Sequence, residues 1–552
     1  LENFLVHTYH HFFFLLLVLF AGALLNVLRR GRRGEDTIRP GMWWRLAGIV
    51  ALAAALRFLF SPMAPQVYHD EFFYMATAEN IANRGMSSPL IMKGWPSQPF
   101  DYPRFTPPYP QGWQAMLSLA YKWTGSSSFK TASGLSFFLS CLIPAGAFFM
   151  AYFFFGGTGP GQGKLGLMGE TCGLYSALFA ACLPALIRLS GSAASETASA
   201  LFTSIFLACL FYYYRHPSPR TFLLLAASAG IVVNIRPENL LYVPVALPVL
   251  YIRRERAARD CGITGAGVIA ASVLLSLAVL YLGRIDAGRA HVFAIQPRQD
   301  LTPLANFAAN LLNNFLFFWG RGQVTPLALT LLSLAGFYLL GLPGSSPAKA
   351  RLLGGWILFF YLILSIFPFG DFSNTFSQDS YRFSLHACFP LILAASYGCF
   401  ALISFIPRPG WARLGAFALL LWIALSPHAS IGFLKTASPY AYHYRALKEI
   451  RKTIPDGAII FAGDAGTTLM IRYLAGGPSG LLADGKDAQG VEPGSREMFL
   501  FETEAPADFI LENFTLDLFS ERHDGRVGYS LFRMEGTGRG EPRPREAGPR
   551  SD

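Results

Sequence analysis

The chain has 552 residues, of which 53% are apolar and only 14% charged, and it contains 49 phenylalanines. That balance excludes a soluble globular enzyme and fits a polytopic membrane protein. The formal net charge of +11 does not require a nucleic-acid partner, because much of the basic excess lies in short loops between apolar runs and in the C-terminal tail.

Apolar runs recur at about 11–28, 43–61, 129–155, 168–187, 193–214, 221–235, 239–252, 263–282, 322–340, 354–369, 385–406 and 411–427. Several are shorter than the ~20 residues of a straight span. The tract 221–252 is interrupted by Arg236, Pro237 and Glu238 and is too long for one crossing, so two spans joined by a tight hairpin are expected. The first run has no basic region before it, no A-x-A-like site after it, and ends in a basic cluster, which disfavours a cleaved signal peptide. Arg29-Arg30-Gly31-Arg32-Arg33, Lys164, Arg215 with Arg220, Arg253-Arg254-Glu255-Arg256, Lys349 with Arg351, and Arg408 with Arg413 fall in alternate loops. Twelve spans, the first running outside to inside, place all of these on the cytoplasmic face of a plasma (inner) membrane. The outer face then receives loops 62–128, 283–321 and 370–384, and everything after about 428.

The seven cysteines lie in or beside apolar runs, which argues for small core side chains rather than a disulfide framework or a thiolate metal site. From about Tyr440 the pattern changes to a charged helical stretch, Tyr444 to Lys452, followed by a buried-type strand, Ala458 to Phe461. A glycine turn then leads into a helix over Thr467 to Leu474, with strand-like runs at Phe499–Phe501, Phe509–Leu511 and Gly528–Met534. This is a small α/β domain without G-x-G-x-x-G spacing. The tail, 536–552, has the composition of a disordered segment. The expected division is 1–40 (an additional span and a basic loop), 41–430 (the main membrane domain), 431–535 (the outer α/β domain) and the tail.

Candidate chemistry collects on the outer side. Asp70 and Glu71 open the amphipathic segment after the second run; two adjacent carboxylates there bind a cation, take a proton or pair with a base, or else Asp70 caps the helix Phe72 to Asn83. Tyr74 belongs to the same cluster, and the Pro-rich stretch that follows carries Asp101, Arg104 and Tyr109 before an interfacial helix from Trp113 to Trp123. Asp101 is either turn chemistry or a second carboxylate facing Asp70. Glu196 starts a span among small residues with Arg188 within reach, as a structural ion pair or a reacting acid. Arg236 and Glu238 either receive phosphate or neutralise each other. His291 is the one histidine of its loop, and Tyr381 with Arg382 precedes a late span at headgroup depth.

A many-spanning chain whose first large outer loop opens with Asp-Glu and an interfacial helix resembles the GT-C glycosyltransferases. It is most similar there to the bacterial protein O-mannosyltransferases and lipid A aminoarabinose transferases. Asp70-Glu71 matches the acidic motif of that family, and Phe100-Asp101-Tyr102-Pro103 resembles its F-E-K-P segment, with Tyr102 in place of Lys. Glu196, Arg236-Pro237 and Tyr381-Arg382 resemble the acid, the R-P pair and the lipid-phosphate site of family spans. Two features depart from the family: the missing Lys and the additional first span.

The resemblance implies a polytopic all-α membrane fold of GT-C type, with interfacial helices in the first outer loop and a small C-terminal extracytoplasmic α/β domain. It further implies a sugar moved from a polyprenyl-phosphate donor to a hydroxyl acceptor on a glycolipid, glycan or protein. Asp70 would be the base, with Glu71 and Glu196 beside it. Tyr74, Arg104, Tyr109, Arg236, Glu238, Tyr381 and Arg382 would line donor and lipid phosphate. A divalent metal (Zn²⁺, Mn²⁺ or Mg²⁺) would sit at Asp101 and His291. Two rival readings are a flippase for lipid-linked sugars and a non-catalytic envelope-polymer assembly subunit. The absence of an internal repeat and the outer-face clustering of polar residues favour transfer over transport.

Overall fold

The computed structural model describes residues 2–31, 38–66, 68–87, 110–156, 163–290, 305, 307–308, 311, 326–343, 345–366, 385–425, 447, 450, 452–455, 458–462, 465–475, 479–481, 497–502, 514–523 and 528–536. Every expected apolar run carries a helix. In chain order these are α1 (Glu2–Gly31), α2 (Pro40–Phe60), α3 (Tyr68–Arg84), α4 (Gly112–Thr124), α5 (Phe129–Phe155), α6 (Gly163–Cys182), α7 (Pro184–Leu189) and α8 (Glu196–Arg215). They continue as α9 (Pro219–Val233), a 3₁₀ turn (Pro237–Leu241), α10 (Tyr242–Ile252), α11 (Arg254–Ala290), α12 (Leu327–Gly341), α13 (Pro347–Ile366), α14 (Leu385–Ser404) and α15 (Pro409–Leu425). Among the described residues, five helical stretches are long and apolar enough to cross a membrane: His7–Arg29, Pro40–Phe60, Phe129–Phe155, Glu196–Arg215 and Arg254–Ala278. Within α11, Gly262 has φ 53°, a left-handed conformation that suits glycine and divides the helix.

The run 168–187 is not one helix. Leu183 is extended, and Pro184 has no N–H to offer the Ala180 carbonyl, so α6 stops and α7 begins. Broken backbone at membrane depth is tolerated only where the protein itself supplies partners. Arg57 of α2, fully buried, supplies them: it donates to the carbonyls of Ala181 at 3.1 Å, Ala180 at 3.4 Å and Ala53 at 3.1 Å, and to Ser140 Oγ at 2.6 Å. A cation at the C-terminal end of a helix is also favoured by its dipole. Elsewhere small residues let helices approach closely: a side chain at Gly146 would strike Ser204 of α8, and one at Gly336 would strike the Ala394 carbonyl of α14.

The first helix is part of this bundle. Tyr9 donates to Asn234 Oδ1 at the end of α9, and His10 Nδ1 lies 2.8 Å from Ser87 Oγ beyond α3. Asn234 also accepts the Gly112 N–H at 2.7 Å through its carbonyl, where a Cβ on Gly112 would clash with that oxygen and with Phe13. Thus α1, α4 and α9 meet at one asparagine.

Beyond the bundle lies a five-stranded sheet of order β2-β1-β3-β5-β4, from β1 (Ile459–Ala462), β2 (Ser479–Leu481), β3 (Met498–Glu502), β4 (Phe514–His523) and β5 (Gly528–Gly536). β1 is buried along its length and pairs in parallel with β2 and β3, while β5 joins β3 and β4 antiparallel. Three of these strands match expected runs; β2 and β4 were not expected. The helix expected at Thr467–Leu474 is α16 (Ala465–Met470) followed by a π turn, Ile471–Ala475. The run Phe509–Leu511 lies outside the described residues.

Substituting Arg57→Met should lower the melting temperature of the detergent-purified protein, since each buried carbonyl left without a donor costs about 1–3 kcal/mol. Ser140→Ala, which leaves those carbonyls paired, should lower it less.

Candidate active site

The acidic pair lies inside a helix rather than at its cap. Because α3 starts at Tyr68, Asp70 and Glu71 both fall in its first turn, where carboxylates meet the positive end of the helix dipole. Their environments differ. Asp70 is half-buried, whereas Glu71 is fully buried. One Glu71 oxygen accepts the Gln66 N–H at 2.6 Å and the other accepts the Ala193 N–H at 2.6 Å. Glu71 therefore ties three pieces of chain together: the turn after α2, the first turn of α3 and the loop before α8.

That loop is held from several sides. Trp113 of α4, buried, donates Nε1 to the Ala193 carbonyl at 2.8 Å. Arg188 on α7 is buried and donates Nε to Gln66 Oε1 at 3.0 Å. Gly191 sits where any side chain would strike Ser61 and the Pro62 carbonyl. The small residues of 190–195 thus serve close backbone packing against the α2–α3 turn.

Three residues beyond Ala193, Glu196 opens α8. Its Oε1 lies 2.6 Å from Arg236 Nη1, and Arg236 in turn meets Glu238 through Nε at 3.1 Å and Nη2 at 3.2 Å. Glu196 and Arg236 are buried and Glu238 nearly so. The pairing of Arg236 with Glu238 was one of the two readings the sequence left open; the addition of Glu196 was not foreseen. Arg236 thus stands between two carboxylates. The 3₁₀ turn that carries Glu238 is fixed by Asn239, which accepts from Ser199 Oγ at 2.9 Å and donates to the Val232 carbonyl at 2.8 Å.

The far side of α3 carries the small domain. Glu79 Oε2 accepts from Arg472 at 2.9 Å and from the Tyr473 hydroxyl at 2.6 Å. The Tyr473 ring stacks on Phe72 with centroids 6.5 Å apart. Burial pushes the Tyr473 phenol well up, the neighbouring Arg472 opposing, so the hydroxyl stays protonated as a donor to Glu79.

Of the residues singled out in the sequence, Asp70, Glu71, Glu196, Arg236 and Glu238 are brought to one end of the bundle, and Tyr74 is buried in α3. Asp101, Arg104, Tyr109, His291, Tyr381 and Arg382 lie outside the described residues. Gln66, Arg188, Glu79, Arg472 and Tyr473 were missed. In the sequence Arg188 stands out only as a partner within reach of Glu196. The other four sit in polar or mixed segments with no local pattern to mark them. Among the described residues no three His, Cys, Asp or Glu side chains gather as a metal site.

The helical bundle with its appended sheet has the GT-C fold. The solved structure of ArnT from Cupriavidus metallidurans in the apo state aligns with a TM-score of 0.55 at 12% identity, covering 90% of this chain and 98% of that one. The same protein bound to undecaprenyl phosphate aligns with a TM-score of 0.52 at 13% identity, covering 88% and 97%. No curated protein matches in sequence. The chain belongs to DUF6541, a family of unknown function, whose profile matches residues 8–460.

Arg236→Gln should destabilise the protein by about 3–5 kcal/mol, the range for removing one partner of a buried pair. Combining it with Glu196→Gln should restore part of that loss in thermal melts. Equal melting of wild type and Arg236→Gln would show that the cluster carries no such coupling.

Proposed function

We propose that this protein is a membrane glycosyltransferase that moves a sugar from a polyprenyl-phosphate donor to a hydroxyl on an extracytoplasmic glycolipid, glycan or protein. The observation that carries the reading is the Glu71 clamp. It fixes the first turn of α3 against the start of α8, and so sets half-buried Asp70 beside a rigid, acid-rich end of a GT-C bundle. A carboxylate positioned this way suits general-base work, which needs a held side chain more than a mobile one.

Asp70 takes the proton of the acceptor hydroxyl as that oxygen attacks the anomeric carbon. The bond from that carbon to the phosphate oxygen breaks, polyprenyl phosphate leaves, and a single in-line displacement inverts the configuration. Because lipid phosphate is a good leaving group, one base and a cation suffice, without the paired acid and base of glycoside hydrolysis. Glu71 acts by position, since both its oxygens hold backbone N–H groups. Glu196, Arg236 and Glu238 form a charge-compensated brace; phosphate would have to displace a carboxylate to reach Arg236. The leaving charge is therefore assigned to Arg104 and Arg382, with Tyr74, Tyr109 and Tyr381 along the donor. The proposed metal ligands, Asp101 and His291, are oxygen and nitrogen donors suited to Zn²⁺, Mn²⁺ or Mg²⁺. Among the described carboxylates, Glu71 is engaged by N–H groups and Glu196 and Glu238 by Arg236.

The test is incubation of purified protein with polyprenyl-phosphate sugars and envelope lipid or protein fractions. Release of polyprenyl phosphate together with acceptor labelling is expected. Movement of donor across a vesicle without cleavage would instead mark a flippase. Asp70→Asn should lower turnover ~10²–10⁴-fold with unchanged donor binding and little change in melting. Glu71→Gln should lower the melting temperature, because its amide nitrogen cannot accept a backbone N–H. Near-wild-type turnover in Asp70→Asn would remove the base assignment.

A further inference from the structure

The opposite end of the bundle holds a cavity that the transfer chemistry does not use. Its volume is about 600 Å³, and Phe153 and Phe154 of α5, Phe211 and Tyr214 of α8 and Pro248 of α10 line it. Tyr214 lies about 27 Å along α8 from Glu196, at 1.5 Å per residue. Apolar side chains dominate the lining, so the cavity suits a hydrocarbon chain.

One amine stands on that lining. Lys349, in the first turn of α13, is half-buried and borders the cavity. Its Nζ lies 5.3 Å and 5.4 Å from the ring centroids of Phe154 and Phe155. Arg215, which donates to the Tyr152 carbonyl at 3.1 Å, covers the two preceding rings of α5, 6.0 Å from Tyr152 and 5.9 Å from Phe153. Two cations thus share one aromatic ledge. Among the described residues, Lys349 has no carboxylate in ion-pair range.

The ammonium form is poorly served there. The rings attract a cation, but they do not replace its water, and Arg215 adds like charge. Burial first and Arg215 second, with the Cys172 thiol opposing, push the amine down to about 8. An amine titrating near 8 is neutral in about a quarter of molecules at pH 7.5, against about one in a thousand for an ordinary lysine. A neutral, desolvated lysine is a nucleophile.

The cavity beside the amine selects its electrophile, which needs an activated carbonyl at one end of an apolar chain. An acyl thioester has both. Its thiolate, from a thiol of pKa about 8.5, leaves far more readily than the alkoxide of a lipid ester. We propose that Lys349 is an acylation site whose Nζ takes the chain of a medium- or long-chain acyl thioester that enters this cavity. The neutral nitrogen attacks the thioester carbonyl, the N–C bond forms and the C–S bond breaks. The departing thiolate takes up the proton that the nitrogen releases, leaving an amide and a free thiol. The site lies at the far end of the bundle from Asp70 and does not depend on the transfer reading.

The full chain in detergent is incubated with octanoyl-coenzyme A or acetyl-coenzyme A, and the acylated lysines are mapped by mass spectrometry. Lys349 should take octanoyl about tenfold faster than exposed Lys122 and Lys130, its larger neutral fraction outweighing its lower basicity. At Lys349 octanoyl should outrun acetyl at least about tenfold, because its chain leaves water. The rate there should level off above about pH 9, where the amine is already neutral. Gly355 lines the cavity and has open space where a Cβ would stand, so Gly355→Trp should fill the cavity and remove the octanoyl advantage. Labelling of Lys349 no faster than of Lys122 and Lys130 would overturn the proposal. So would equal octanoyl and acetyl rates at Lys349, or an unchanged octanoyl advantage in folded Gly355→Trp. The wild-type rates decide the matter even if Gly355→Trp does not fold.

Discussion

One buried carboxylate organises the acidic end of this molecule. Glu71 accepts backbone N–H groups from Gln66 and Ala193, which are more than a hundred residues apart in the chain. Charge-assisted bonds of this kind are about twice as strong as neutral ones, and burial removes the water that would compete for them. Trp113 grips the Ala193 carbonyl, so the peptide units on both sides of this residue are held. Asp70, one residue before Glu71, inherits its placement from this arrangement. The two adjacent carboxylates thus differ in burial: Glu71 is fully enclosed and Asp70 half-buried.

The remaining buried charges obey the same rule of local compensation. Arg236 stands between Glu196 and Glu238, and Arg57 spends its donors on carbonyls freed by the break at Pro184. Neither arrangement is strong evidence of net stabilisation, because desolvating ions costs about as much as pairing returns. What they fix is register. Arg236 can reach both carboxylates only if the turn after α9 lies over the first residue of α8. Arg57 can reach the end of α6 only at one depth of α2.

How far the sequence exposes this depends on range. Helices are legible because apolar length is a local signal, and each expected run carries a helix. The interruption at Arg236-Pro237-Glu238 correctly marked a hairpin: α10 ends beside Tyr214 at the far end of α8, while Arg236 meets the near end. The break at 183–184 was missed because one proline in an apolar run looks like an ordinary kink. Long-range partners carried no signal at all. Glu79 sits on an amphipathic helix like any surface acid, and nothing near it points to Arg472, 393 residues away. Arg57 resembles a stray charge in a span until the carbonyls of α6 are placed beside it. Asp70 and Glu71 look equivalent in the sequence, and nothing local shows that the backbone N–H groups of Gln66 and Ala193 meet Glu71.

The clamp has a counterpart that gives α3 its mechanical character. Glu71 binds the membrane bundle at the start of the helix, and Glu79, about 12 Å further along it, binds Arg472 and Tyr473 of the small domain. Phe72 is buried between, stacked on Tyr473. Helix α3, packed in the bundle core along its length, therefore also carries the small domain's contact. Rotating the domain about this contact would act on the helix that carries Asp70, because no flexible residue lies between Glu71 and Glu79. The sequence from Phe72 to Ala78, without glycine or proline, keeps this helix stiff. The small domain is in this way joined to the helix that carries the acidic pair through Arg472 and Tyr473.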